Sequence, residues 1–214
     1  RNAPAGAGSV SPVSLPVPPS TGQRPNATVD AIVIVHNGAA WLAQCLDGLA
    51  AQTLPPARLV VVDVASTDTS VAIATAHPGV RERISSVEVL PLESRVPVGR
   101  AIERGMSRLP VGDDASTSWV WVLHDDASPA PGALAALVAA AESAAPEVAV
   151  LGPKIREWPS LKRLLEVGVT LTGTGRRETG LERGEYDQGQ HDESHRVLAV
   201  NTAGMLVRRE VLEA

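Results

Sequence analysis

Apolar residues along this chain alternate between two rhythms. From Val29 the run VDAIVIV (29–35) is short, continuous and rich in β-branched residues, which predicts a strand buried on both faces. AAWLAQCLDGLAAQ (39–52) then places Trp41, Leu42, Cys45, Leu46 and Leu49 at helical spacing. ARLVVVDV (57–64) predicts a second strand, and TDTSVAIATAH (67–77) a second helix with Ser66 or Thr67 as its N-cap. SVEVLPL (86–92) and PVGRAIERGMSRL (97–109) repeat the pair. SWVWVLHDD (118–126) predicts a fourth strand running into an acidic tip, and PGALAALVAAAESA (131–144) a helix with proline in its first turn. EVAVLGP (147–153) closes the series as a fifth strand. Strands alternating with helices of roughly 10–15 residues predict an α/β fold with a doubly wound, mostly parallel sheet.

The rhythm stops after residue 153. LLEVGVTLTGTGRRETG predicts a hairpin around Gly173–Gly175, and the charge-dense stretch 176–196 a long surface loop. RVLAVNTAGMLVRREVLEA returns to strand, glycines and the start of a helix. At the other end, residues 1–28 mix prolines with Ser, Gly and Ala without any period, which predicts a linker or tail unable to offset its ordering entropy. The NAT at 26–28 has the form of a glycosylation sequon, a pattern short enough to arise by chance. The expected organisation is therefore a tail (1–28), a core (29–153) and an irregular C-terminal region (154–214).

With 214 residues, 44% of them hydrophobic, the chain can bury one substantial core. A net charge of −5 argues against general nucleic-acid binding, which draws its affinity from phosphate neutralisation. No apolar run reaches the roughly 20 residues of a membrane-spanning helix. The single cysteine, Cys45, forms no internal disulfide and has no metal-ligand spacing, so a reducing compartment is the simpler reading. The chain starts at Arg1 rather than methionine and stops within a helical pattern, so we expect it to be part of a longer polypeptide. Its scarcity of lysine, only Lys154 and Lys162, beside abundant alanine, valine and arginine is associated with GC-rich bacterial genomes.

In an open parallel sheet, ligands bind at the carboxyl ends of the strands. Here the first strand ends in HNG (36–38), the second carries Asp63 with AST and Asp68 after it, and the fourth ends in His124, Asp125 and Asp126. Adjacent carboxylates repel unless a cation or donors compensate. One reading of Asp125 and Asp126 is a hard divalent ion held together with a diphosphate; the other is a solvated turn ahead of the helix at Pro131. Asp63 reads either as an acceptor for a nucleoside or as a strand-end carboxylate satisfied by loop amides. His36 taken alone reads as structural, and Trp119 and Trp121, alternating with valines, as core.

These segments resemble the family 2 glycosyltransferases of the A-type fold, from about Val29 to the end of the chain. IVIVHNGAAWLAQCLDGL is similar to their opening strand and helix, VVDVASTDTS to the V-D-N-x-S-x-D segment, and VGRAIERGM to the G-x-A-x-N-x-G helix. WVLHDDASPAPGALAAL is similar to the D-x-D region, and VNTAGMLVRREVLEA to the later G-x-x-M-x-x-R-R segment. The resemblance implies a Rossmann-like nucleotide-binding core. Within it, Asp63 would contact the nucleoside base, Asp68 steady the same loop, and His36 stand on the donor side. Arg100 would lie near the donor diphosphate or sugar, Asp125 at the ribose or sugar, Asp126 on Mg²⁺ or Mn²⁺, and Gly204 and Met205 on the acceptor side.

Three departures from the family pattern stand out: Val64 where a polar residue is common, Glu103 where asparagine is common, and His124 before the two aspartates. The implied reaction is inverting transfer from a UDP- or dTDP-linked sugar to a hydroxyl of a glycan or lipid-linked acceptor. The base would sit in an acidic motif beyond Ala214, with His191 and Asp192 as alternatives inside this chain. Residues 158–192 look most like large actinobacterial cell-envelope members related to rhamnosyl- and galactofuranosyl-transferases. That likeness implies a cytoplasmic location at the membrane face, with membrane association through regions outside this chain. Two rival readings remain: an inactive transferase-like binding module, and a dinucleotide- or adenosyl-methionine-dependent enzyme. The second needs a glycine-rich first turn, which HNGAAW lacks.

Overall fold

The structure is a computed structural model that describes residues 28–110 and 118–214. The tail and sequon expectations lie outside the described residues, except Thr28, which opens the first strand. The core follows the predicted alternation: β1 (Thr28–Val35), α1 (Leu42–Ala50), β2 (Arg58–Val64), α2 (Ser70–Ala76), α3 (Pro78–Arg83), β3 (Ser86–Leu92), α4 (Val98–Met106), β4 (Ser118–His124), α5 (Ala133–Ser143) and β5 (Val150–Leu151). Beyond it come β6 (Ile155–Arg156), β7 (Leu164–Glu166), β8 (Thr170–Leu171), β9 (Arg177–Glu178), β10 (Met205–Arg208) and α6 (Arg209–Glu213).

The central sheet has six strands in the order β3-β2-β1-β4-β10-β5. Strands β1 to β4 are mutually parallel, while β10 runs antiparallel to both β4 and β5. From β1 the chain winds outward through β2 and β3, then crosses to β4 on the opposite side. The strand order therefore reverses between β1 and β4, and the crevice outside their carboxyl ends is where such sheets place ligands.

Both faces of β1 are covered, which is why its sequence is apolar throughout rather than alternating. On one face Ala31, Val33 and Val35 pack with Trp121, Leu123 and the α1 residues Leu42, Cys45, Leu46 and Leu49. On the other, Ile32 and Ile34 pack with Val60, Val62, Val120 and Val122 beneath Ala101, Ile102 and Met106 of α4. Each fully buried Leu or Ile contributes about 1.5–3 kcal/mol relative to exposure. Trp119 and Trp121 are core, as their alternation predicted. Gln52, also fully buried, donates to Gly48 O and Ala130 O and accepts from Leu134 N, so it ties α1 to the first turn of α5.

Several local expectations change. Trp41 is half-exposed at the N-cap of α1 instead of packing with the helix's apolar face. The helical stretch around residue 77 divides, because Pro78 cannot continue α2 and instead opens α3, with the His77 side chain accepting from Val80 N. The fifth strand shrinks from seven expected residues to two, since at the sheet edge β5 pairs only with β10. The hairpin forms as β8–β9, turned by Gly175 at φ 79°, a left-handed conformation that suits glycine. Residues 176–196 are mainly exposed turns.

The Arg-Arg pair near the C-terminus serves the fold. Arg208 lies over the Trp119 ring at 4.9 Å and donates to Val148 O. Arg209 is buried and reaches Asp30 (3.9 Å) at the amino end of β1, where Arg58 also approaches (3.6 Å). Burial raises the Asp30 pKa, and the two guanidiniums oppose that rise.

Helix α4 lies close to the sheet at Gly105, where an added Cβ would meet Ile32 at 2.9 Å and Val62 at 3.1 Å. Gly105→Val should therefore destabilise the protein by about 1–3 kcal/mol through overpacking. A urea midpoint unchanged from wild type would contradict this packing.

Candidate functional site at the carboxyl edge of the sheet

The ends of β1, β2 and β4 are joined by a polar network. Asp125 leaves β4 with its amide donating to Ile34 O (3.1 Å), and its Oδ2 accepts from the His36 amide (3.0 Å). The carboxylate lies directly over Gly38, where a Cβ would fall 2.1 Å from Oδ2. Only glycine leaves that space. Partial burial pushes the Asp125 pKa up, assisted by the neighbouring Asp126 charge and opposed by the His36 hydrogen bond. Asp126, one residue on, is exposed.

His36 turns toward β2. Its Nδ1 lies 2.6 Å from Val64 O, and because a carbonyl only accepts, Nδ1 carries the proton. In the neutral ring Nε2 is then an acceptor, and Asn37 Nδ2 sits 3.3 Å away. Asn37 itself has φ 53°, and its Oδ1 accepts from Thr67 N (2.8 Å) and Thr67 Oγ1. Its amide donates to Ser66 Oγ (2.9 Å). His36 and Asn37 thus fasten the turn after β1 to the turn after β2.

Asp68 completes this clasp. Oδ2 accepts from Ala39 N (2.9 Å), and Oδ1 from Ser70 N (3.0 Å) and Ser70 Oγ (2.5 Å); Ser70 Oγ in turn accepts from Gly38 N (2.9 Å). The Ser70 hydroxyl bond, then the Ala39 amide, holds the Asp68 pKa below the ordinary carboxylate value. Sequence reasoning missed Asn37, Gly38, Ser66 and Ser70 as parts of this network. An Asn-Gly pair directly after a strand was a usable signal, since asparagine tolerates the left-handed region.

Asp63 sits at the end of β2 and is 3% exposed. Its Oδ2 accepts from Ser66 N (3.1 Å), while Oδ1 is buried with no hydrogen-bond partner among the described residues. A buried acceptor left unpaired costs about 1–3 kcal/mol. The next turn is strained as well: Ala65 holds φ 54°, at a cost of about 1–2 kcal/mol for a residue other than glycine. Among the described residues, Asp63 Oδ1 is therefore an acceptor with unused hydrogen-bonding capacity at the carboxyl edge of the sheet.

The other predicted residues are spread more widely. Arg100 is exposed on α4 and pairs with Glu103 (2.6 Å), the residue standing where the family often has asparagine. Gly204, with φ 111°, donates its amide to Val122 O (2.8 Å) and accepts from Trp121 Nε1 (3.1 Å); a Cβ there would meet Pro153 at 2.8 Å. Met205 pairs with Val122 in the sheet. His124 Nε2 lies 2.9 Å from Thr202 Oγ1. Cys45 donates from Sγ to His124 O (3.4 Å), and burial, with help from Asp125 and Asp126, pushes its thiol up to about 12.

His191 and Asp192 belong to a different cluster. His191 Nε2 is 2.9 Å from Glu185 Oε1, and Asp192 is ion-paired with Lys154, which also binds Asp187 (2.8 Å). The Lys154 hydrogen bond is the largest influence on Asp187 and holds its pKa down.

Among the described residues no group of three or more His, Cys, Asp or Glu side chains forms a metal-binding set. Asp125 and Asp126 alone could hold a divalent ion only if diphosphate or water oxygens completed its shell. That donor set suits Mg²⁺ or Mn²⁺, which favour oxygen ligands. Among the described residues no helix is long and apolar enough to cross a membrane.

A doubly wound, mostly parallel sheet is the architecture of A-type glycosyltransferases, and solved structures similar to this chain share that fold. The mannosyltransferase PcManGT from Pyrobaculum calidifontis, in complex with GDP-Man and Mn²⁺, aligns at 20% identity and TM-score 0.54 over 87% of this chain and 46% of that one. TarS residues 1–349 from S. aureus align at 18% identity and TM-score 0.51 over 87% and 48%. The chain thus spans less than half the length of either. No curated protein sequence matches it significantly. The sequence profile described as glycosyl transferase family 2 matches residues 30–214, and the chain belongs to that family.

Two outcomes follow from this geometry. Gly38→Ala should displace the Asp125 carboxylate and break its bond to the His36 amide, lowering the melting temperature by several degrees, as a loss of about 1–2 kcal/mol does in a domain of this size. An unshifted melting curve would show that the turn accommodates a methyl group. For the Lys154 cluster, the depressed Asp187 pKa contributes stability above the ordinary value of 3.8, lost as pH falls through the lower folded value. The stability gap between wild type and Asp187→Asn should therefore narrow as pH drops below 3.8, measured by thermal unfolding across pH; a constant gap would contradict the pairing.

Proposed function

We propose that this chain is the donor-binding part of an inverting glycosyltransferase that moves a sugar from a UDP- or dTDP-linked donor to a hydroxyl acceptor. The single observation carrying this reading is the placement of Asp63, Asp125 and Asp126 along one sheet edge, with Asp63 Oδ1 buried and unpaired. Asp63 would accept a hydrogen bond from the nucleoside base, and Asp68 would hold the turn beneath it. Asp125 would face the ribose or sugar, with one oxygen already fixed by His36. Asp126 would hold Mg²⁺ or Mn²⁺, which when bound stabilises negative charge on the departing diphosphate. The Mn²⁺ and GDP-Man in the similar mannosyltransferase support a metal-assisted nucleotide-sugar site. Arg100, exposed on α4, would swing from Glu103 to the donor phosphates or sugar.

In the reaction, the acceptor oxygen forms its bond to the anomeric carbon as the bond to the diphosphate breaks, and a base takes the hydroxyl proton. His191 and Asp192 are already engaged by Glu185 and Lys154. We place the base outside these residues. A cell-envelope glycan or lipid-linked acceptor, reached at the cytoplasmic face of a membrane, is the substrate class we favour.

Calorimetry with UDP should show tighter binding in Mn²⁺ than in chelator, and Asp126→Ala should remove most of that gain, about tenfold or more for a charge-assisted contact. Asp63→Ala should weaken UDP binding by a similar factor in either condition. Equal affinity with and without metal would overturn the role of Asp126, and unchanged affinity in Asp63→Ala that of Asp63.

A further inference from the structure

Residues 196–204 form a strap joining the C-terminal region to β4. At one end Arg196 pairs with Glu147 (3.0 Å), and Leu198 N and Ala199 N donate to Val169 O (2.9 and 3.1 Å). The strap lies close against the backbone beneath it: a Cβ on Gly168 would meet Val197 at 2.5 Å, and one on Gly152 would meet Val200 at 2.6 Å. At the other end Gly204 is fixed to Val122 O and to Trp121 Nε1. Between these anchors, Thr202 Oγ1 meets His124 Nε2 at 2.9 Å.

His124 is the residue directly before the two aspartates. Its carbonyl accepts from Ala127 N (3.0 Å) and from Cys45 Sγ, so the main chain of the acidic tip is held at the point where its imidazole leaves. A third acid at this position would add negative charge beside Asp125 and Asp126. Histidine avoids that charge and exchanges a hydrogen bond with the hydroxyl in either tautomer.

We propose that His124 is a positioning residue whose bond to Thr202 couples the strap to the acidic tip, so that donor occupancy and strap order depend on each other. The proposal rests on the donor-site reading above. When metal and nucleotide fix the aspartates, the imidazole is fixed with them and the strap is held at Thr202, two residues before Gly204, which is anchored to β4. Linkage makes the effect reciprocal: whatever orders the strap tightens the donor site by the same factor.

The test is hydrogen–deuterium exchange across residues 198–206 of the whole chain, with and without UDP and MnCl₂. UDP binding is measured in parallel by calorimetry. In wild type and in Thr202→Ser, which keeps the hydroxyl, UDP–Mn²⁺ should slow exchange in the strap about fivefold, the scale of one hydrogen bond. In Thr202→Val, and equally in Thr202→Ala, UDP–Mn²⁺ should still bind while the strap gains no protection. A merely structural Thr202 would raise exchange in the free protein yet leave the ligand-induced change intact. Binding with equal strap protection in every variant, or with none in wild type, overturns the coupling alone. Absence of UDP–Mn²⁺ binding in wild type overturns the donor-site reading and the coupling with it.

Discussion

At the switch point of the sheet, one carboxylate oxygen of Asp125 accepts the His36 amide and lies against a glycine that has no room for a side chain. This contact joins the ends of two strands that are neighbours in the sheet but 89 residues apart in the chain. The rest of the edge depends on it. It fixes where the turn after β1 begins, and that turn carries Asn37, Gly38 and Ala39, which gather Ser66, Thr67, Asp68 and Ser70 from the turn after β2. It also leaves Asp126 facing solvent, since its neighbour is turned inward.

The electrostatic cost of this arrangement is visible in Asp125, whose pKa rises because burial and a neighbouring carboxylate both disfavour its charge. A cation at the edge would relieve the same strain. Asp68 is the opposite case, an acid held ionised by short hydrogen bonds and used to brace a loop. Asp30, at the far end of β1, shows a third solution: a buried carboxylate opposite the guanidiniums of Arg58 and Arg209. Three aspartates in and beside one sheet therefore do different work because their surroundings differ.

The C-terminal region is organised by other means. With few apolar residues to bury, it relies on the Lys154 ion pairs, the Glu166–Arg177 pair (2.6 Å) and close approaches at glycines 152, 168 and 204. Such a region is held in place by the core rather than standing alone, and β10 inserted between β4 and β5 is its anchor.

The sequence by itself determined the alternation of strands and helices, the burial of both faces of β1, the core role of Trp119 and Trp121 and the placing of acidic residues at strand ends. These are readable because period and β-branching reflect local geometry and burial on every residue. It grouped Trp41 with the apolar helical spacing of 39–52 and ran the fifth strand too long, because helix capping and edge position are set by neighbours distant in the chain. Only the tertiary structure decided that β10 enters the sheet antiparallel, that Arg209 is buried against Asp30, and that His36 turns its Nδ1 to Val64 O at the end of β2. Only it decided that Asp125 needs Gly38 and that His124 meets Thr202. Each of those facts is a contact between side chains or backbones far apart in sequence, and no local pattern records which distant group will fill a hydrogen bond.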